Sequence, residues 1–118
     1  RYIAAMDFAR RSTKLLLYDF QTGKWSQWVE DPDGIAYPSW LPDGRSIQYA
    51  NVSSGGSTPS YNRVKLGSSQ IQRLFDVPGA DIYATNVGPW TGMTPDGSIM
   101  YTRDVSTQEL YQLDVDFP

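Results

Sequence analysis

The side chains best placed to do chemistry in this chain are aspartates held in turns. They lie in Asp31-Pro32-Asp33-Gly34, Pro42-Asp43-Gly44 and Pro95-Asp96-Gly97. Clustered carboxylates can hold a divalent cation or share acid–base work. A calcium loop of the EF-hand type needs Gly at its sixth position and Glu at its twelfth. In the run that starts at Asp31, Gly34 is fourth and no Glu follows in place, so a solvated turn is expected. Asp43 and Asp96 occur once per turn, which fits turn formation better than a catalytic pair. The chain has no His and no Cys. A Ser-His-Asp or Cys-His nucleophile, a histidine zinc site and a disulfide are therefore outside its means. No catalytic, metal-ligating or cofactor-binding residue is assigned, and any catalysis is expected in a separate domain.

Binding is the remaining class. The abundance of tyrosine and tryptophan makes aromatic surfaces easy to build, and Trp25, Trp28, Tyr37, Tyr61 and Tyr83 are candidates for one at a loop face or channel mouth. The sequence does not choose among them. Arg10, Arg11 and Lys14 form the one basic cluster, read as a solvated turn. With a net charge of −3 and a pI near 4.7, the chain lacks the concentrated basic face of a nucleic-acid binder. Asn51-Val52-Ser53 is a formal glycosylation sequon, of consequence only in a eukaryotic secretory host. No run of about 18 apolar residues exists to span a membrane as a helix.

The elements that must carry these residues are short strands. At 118 residues, 40% of them hydrophobic, a single globular domain is expected. Strands are predicted over Tyr2 to Asp7, Lys14 to Phe20 and Trp25 to Glu30, with a polar turn from Ala9 to Thr13 and a tight one at Gln21-Thr22-Gly23-Lys24. Four more follow: Tyr37 to Leu41, Ser46 to Asn51, Tyr61 to Leu66 and Ile71 to Val77. In the third of these, Asn62, Val64 and Leu66 alternate with Tyr61, Arg63 and Lys65, a half-buried pattern. The Ser/Gly stretch between Asn51 and Ser60 reads as a surface loop. Pro78 to Asp81 connects to a last group, Gly88 to Thr94, Ser98 to Arg103 and Glu109 to Val115.

The two Pro-Asp-Gly turns sit between matching strands and their glycines are 53 positions apart. Arg1-Tyr2-Ile3-Ala4 aligns with Arg45-Ser46-Ile47-Gln48 at an offset of 44. Strand-turn-strand units recurring at roughly 40–50 residues are the signature of a propeller. The expected fold is all-β, a β-propeller fragment of about two and a half to three four-stranded antiparallel blades. One segment spans 1–118: a partial blade at 1–34 lacking its inner strand, a complete blade at 35–80, and a final blade at 81–118 lacking its outer strand. An antiparallel sandwich with similar turns is the alternative. Trp40 and Trp90 are expected to fill space between sheets. The cut inside a blade suggests the tail portion of a longer protein, with its remaining blades or another copy needed to close the ring.

Tyr37-Pro38-Ser39-Trp40-Leu41-Pro42-Asp43-Gly44-Arg45-Ser46-Ile47-Gln48-Tyr49 resembles the WD-like repeat of TolB-type β-propellers. In that family the turn joins the innermost strand of a blade to the second. Leu41 departs from the family's Ser before Pro, and Thr94 is closer to it. Leu17 to Lys24 is similar to the family's third strand and following turn. Pro89 to Gly97 with Arg103 to Asp114 resembles the final blade of bacterial propellers that follow a winged-helix or Ser/Thr kinase domain. The resemblance implies a non-catalytic module for protein or peptide interaction or ligand sensing, within a bacterial signalling or regulatory protein; it favours a periplasmic or extracytoplasmic setting over a cytoplasmic one, and the compartment stays open. Two other roles fit such a propeller: gating a hydrolase of the prolyl-oligopeptidase kind, or envelope assembly.

Overall fold

A computed structural model describes residues 1–7, 13–51, 58–77, 84–85, 88–89, 91–103, 105, 107 and 109–112. Among them the chain is all-β and antiparallel, with no helix long and apolar enough to cross a membrane. Strands β1 (Tyr2–Met6), β2 (Lys14–Asp19) and β3 (Lys24–Glu30) form the first sheet in chain order. The second sheet runs β4 (Ala36–Trp40), β5 (Ser46–Asn51), β6 (Ser60–Lys65), β7 (Ile71–Asp76). Two hairpins follow, β8 (Ala84–Thr85) with β9 (Gly88–Pro89), and β10 (Thr91–Met93) with β11 (Ile99–Tyr101).

The turn chemistry explains the hairpin between β4 and β5. The Gly44 N–H donates to the Leu41 carbonyl at 2.9 Å, closing a turn with Pro at its first corner. Gly44 then takes φ +60°, a conformation that L side chains reach only under strain. Asp43 Oδ1 accepts the amides of Arg45 and Ser46 at 2.8 and 2.9 Å, and Oδ2 accepts the Ser46 hydroxyl at 3.0 Å. The turn at 94–98 repeats this: Gly97 N–H donates to Thr94 O, Gly97 has φ +88°, and Asp96 Oδ1 accepts from Ser98 N and Thr94 Oγ1. It is one residue shorter. Leu41 N–H reaches Ser46 O, whereas Thr94 N–H reaches Ser98 O.

The first two sheets are built to one plan. β1 aligns with β5 at an offset of 44, and β2 and β3 align with β6 and β7 at 46. The register shift between β2 and β3 falls at Leu15/Leu16, and that between β6 and β7 at Tyr61/Asn62, the same place in each sheet. Phe20 N–H donates to Arg1 O, as Leu66 N–H does to Arg45 O. Asp31 N–H donates to Thr13 O, as Val77 N–H does to Pro59 O. A bulge is a specific local kink, and it recurs with these bonds at matching places in the two sheets.

The sheets stack through apolar faces. Leu15 and Val29 of the first meet Ile47, Tyr49 and Val64 of the second, with Ile35 sealed between. Trp40 does fill space between sheets, its ring stacked on Trp28 with centroids 5.8 Å apart. On the other face of the second sheet, Ala50, Tyr61 and Val77 pack with Ile99 of β11. β4 lies against both β1 and β10.

Several expectations are corrected. The half-buried alternation of β6 holds at Asn62 and Val64, buried, against Arg63 and Lys65, which are not, but fails at Tyr61, buried on the opposite face where Ile99 packs. The strand expected over Glu109 to Val115 does not form across Glu109–Gln112, where Leu110 and Tyr111 are exposed. Apolar alternation makes a strand only where a neighbouring strand supplies the ladder. The expected Gly88–Thr94 strand is represented by Gly88–Pro89 and Thr91–Met93, and a hairpin at 84–89 was not anticipated. Tyr83, Trp90, Arg10, Arg11, the 9–12 turn, the 52–57 loop and the 78–81 connection lie outside the described residues.

Candidate functional site

The aspartates are spent on structure. Asp31 is not solvated, as the sequence suggested, but buried. Its Oδ2 accepts the Tyr49 hydroxyl at 2.8 Å and its Oδ1 accepts the Asp33 amide at 3.1 Å. Burial, then this hydrogen bond, push the Tyr49 hydroxyl well above the ordinary tyrosine range, so it stays a neutral donor. Asp43 is held below the ordinary aspartate range chiefly by the Arg45 amide, and Asp96 chiefly by the Thr94 hydroxyl. Both oxygens of Asp31 and of Asp43, and Oδ1 of Asp96, thus already accept hydrogen bonds from the chain itself. Among the described residues no three His, Cys, Asp or Glu side chains gather as metal ligands.

The aromatic candidates are dispersed rather than gathered. Tyr61 is buried, stacked on Phe75 at 4.9 Å and near Tyr101. Trp28 is half-buried, stacks on Trp40 and donates from Nε1 to the Ser68 carbonyl at 2.9 Å. Tyr37 is half-buried at a register shift of the edge strand β4, with φ +53°. There Pro38 costs no ladder bond. Of the described candidates Trp25 alone is well exposed, beside Tyr18, whose ring centroid is 5.2 Å away.

What the sheets do create is a groove of about 570 Å³ between the first sheet and the turn after β6. Leu17, Asp19, Lys24 and Ser26 form one wall, Gly67 and Ser68 the other, and Trp28 closes its inner end through the bond to Ser68. Asp19 is kept ionised by the Arg1 guanidinium, 3.0 Å away, and then by the Gln21 amide at 2.9 Å. A second groove of about 580 Å³ occupies the corresponding place one sheet further on, lined by Ser46, Arg63, Lys65, Gln70 and Gln72. By the repeat offset, Arg63, Lys65, Gln70 and Gln72 stand where Leu17, Asp19, Lys24 and Ser26 stand in the first. The Arg63 guanidinium donates to Gln72 Oε1 at 2.8 Å.

These lining residues form no local motif, and nothing in the sequence singled them out. Pro32 and Pro78, like Leu17 and Arg63, are 46 apart, and that spacing was the available signal. No known family, curated protein or solved structure matches the chain.

Proposed function

We propose that this chain is a non-catalytic segment of a TolB-like β-propeller, belonging to a larger bacterial signalling or regulatory protein, which binds an extended peptide of a protein partner. The groove at Leu17 carries the reading. It has an apolar wall at Leu17 and Trp28 and paired charges at its rim. An extended chain presents side chains alternately to two sides, so one apolar wall and one polar rim suit it. β3, the outer edge of the first sheet among the described residues, runs along this groove, and an edge strand can offer backbone groups to an added chain.

Three further observations support the reading. The scaffold repeats while the groove lining changes from Leu17, Asp19 and Ser26 to Arg63, Lys65 and Gln72, as one framework offering different surfaces would. β4 beside both β1 and β10 suits blades arranged about one axis. The turn carboxylates are engaged in holding their own loops, and the chain has no His or Cys.

A peptide array probed with the purified chain tests it. Peptides that bind are expected to lose at least tenfold in affinity to Ser26→Trp, which fills the groove, with little change for Gln72→Ala in the second groove. Binding unaffected by Ser26→Trp, or a turnover abolished by a single substitution in this chain, would overturn it.

A further inference from the structure

The groove beside the first sheet holds one charge that its surroundings leave uncompensated. Leu17, Asp19, Lys24 and Ser26 line it from one side, and Leu66, Gly67 and Ser68 from the other. Leu15 and Val29, on the same face as Leu17, pack against the second sheet. Both walls therefore belong to the joint between the two sheets. Asp19 and Lys24 are cross-strand neighbours, as are Leu17 and Ser26. Asp19 is already committed, with the Arg1 guanidinium at 3.0 Å and the Gln21 amide at 2.9 Å. Lys24 is exposed and forms no ion pair among the described residues. With Arg1 and Asp19 neutralising each other, the groove carries the positive charge of Lys24.

The chemistry changes in step along β3. Leu17, Trp28 and Leu66 make the inner part apolar, and the short side chain of Ser26 leaves room beside Leu17. Two residues away, at Asp19 and Lys24, the lining is charged. Side chains on one face of an extended chain recur every second residue, about 6.6 Å apart. One peptide strand can therefore reach both places with two of its own side chains.

We propose that this groove selects peptides in which an acidic side chain stands two residues from an apolar one, and that Lys24 reads the acid. The inference rests on the reading of the groove as a peptide site. The apolar side chain covers Ser26 beside Leu17 and Trp28, and the carboxylate two residues on meets the Lys24 ammonium. A basic side chain in that place would face Lys24 while Asp19 is held by Arg1. Charge complementarity at a rim decides which partner is accepted more than how tightly it is held.

Matched peptides carrying Leu-x-Glu, Leu-x-Gln or Leu-x-Lys, and the same pairs in reverse order, test it by fluorescence anisotropy. The parent chain is expected to prefer Glu over Lys by about tenfold at low salt, with the gap shrinking as salt is raised. Lys24→Glu is expected to reverse the order, which a loss of packing would not do, and Lys24→Gln to level it. Lys24 is exposed, so unchanged melting curves would show that both variants fold. Binding that is lost to Ser26→Trp yet keeps one order in the parent and in Lys24→Glu overturns the acid selectivity and leaves the groove reading standing. No binding of any peptide, or binding untouched by Ser26→Trp, overturns the groove reading and this inference with it.

Discussion

Asp43 shows how a residue that looks chemical becomes structural. Its two oxygens accept three hydrogen bonds inside one turn, and Asp96 repeats the arrangement. Both carboxyls titrate below the ordinary aspartate value of 3.8. A folded-state value below the unfolded one gives a contribution that is full above pH 3.8 and is lost as pH falls through the folded value. Thermal melts from about pH 5 down to about pH 2 are expected to show this loss, and Asp43→Asn to flatten it. Tyr49 works in the opposite direction. Its hydroxyl titrates above the ordinary value of 10.0, so its contribution is full below that pH and fades as pH rises beyond it. Tyr49→Phe leaves Asp31 Oδ2 buried without its donor and is expected to cost about 1–3 kcal/mol in denaturant unfolding. Gly44 has no heavy atom within 4 Å of a built Cβ, so a side chain there meets strain and not a clash. Gly44→Val is expected to cost about 1–2 kcal/mol from the left-handed backbone alone.

At the scale of elements, the strands of residues 2–77 were legible because their signals are local. Alternating side chains, Gly23 and Gly44 at positive φ, and Pro-bearing turns each act within a few residues. Burial was not legible in the same way. Tyr61 and Asp31 look exposed in sequence, yet each is covered by a sheet or strand that arrives from elsewhere in the chain. Glu109–Gln112 carries an alternating pattern and yet is not a strand, so the pattern alone did not decide it. The groove was invisible because its walls come from β2–β3 and from the turn after β6. Trp28 joins these two elements. Trp28→Phe retains a ring to stack on Trp40 but deletes the bond to Ser68, and is expected to lower stability by about 1 kcal/mol. It is also expected to loosen the groove's inner end, seen as faster amide exchange at Ser69 and Gln70.

For the whole molecule, the bulge shared by the first two sheets, the matching turn hydrogen bonds and the packed faces describe one sheet stacked on the next. That stacking gives the chain a closed interior between the sheets and a groove where the first sheet meets the turn after β6. The most direct test is the through-space proximity of rings across the two joints. Nuclear Overhauser contacts are expected between the Trp28 and Trp40 indoles and between the Tyr61 and Tyr101 rings, whose centroids lie 5.8 and 6.4 Å apart. Cross-strand contacts within each sheet appearing without either ring pair would contradict the stacking, and with it the groove.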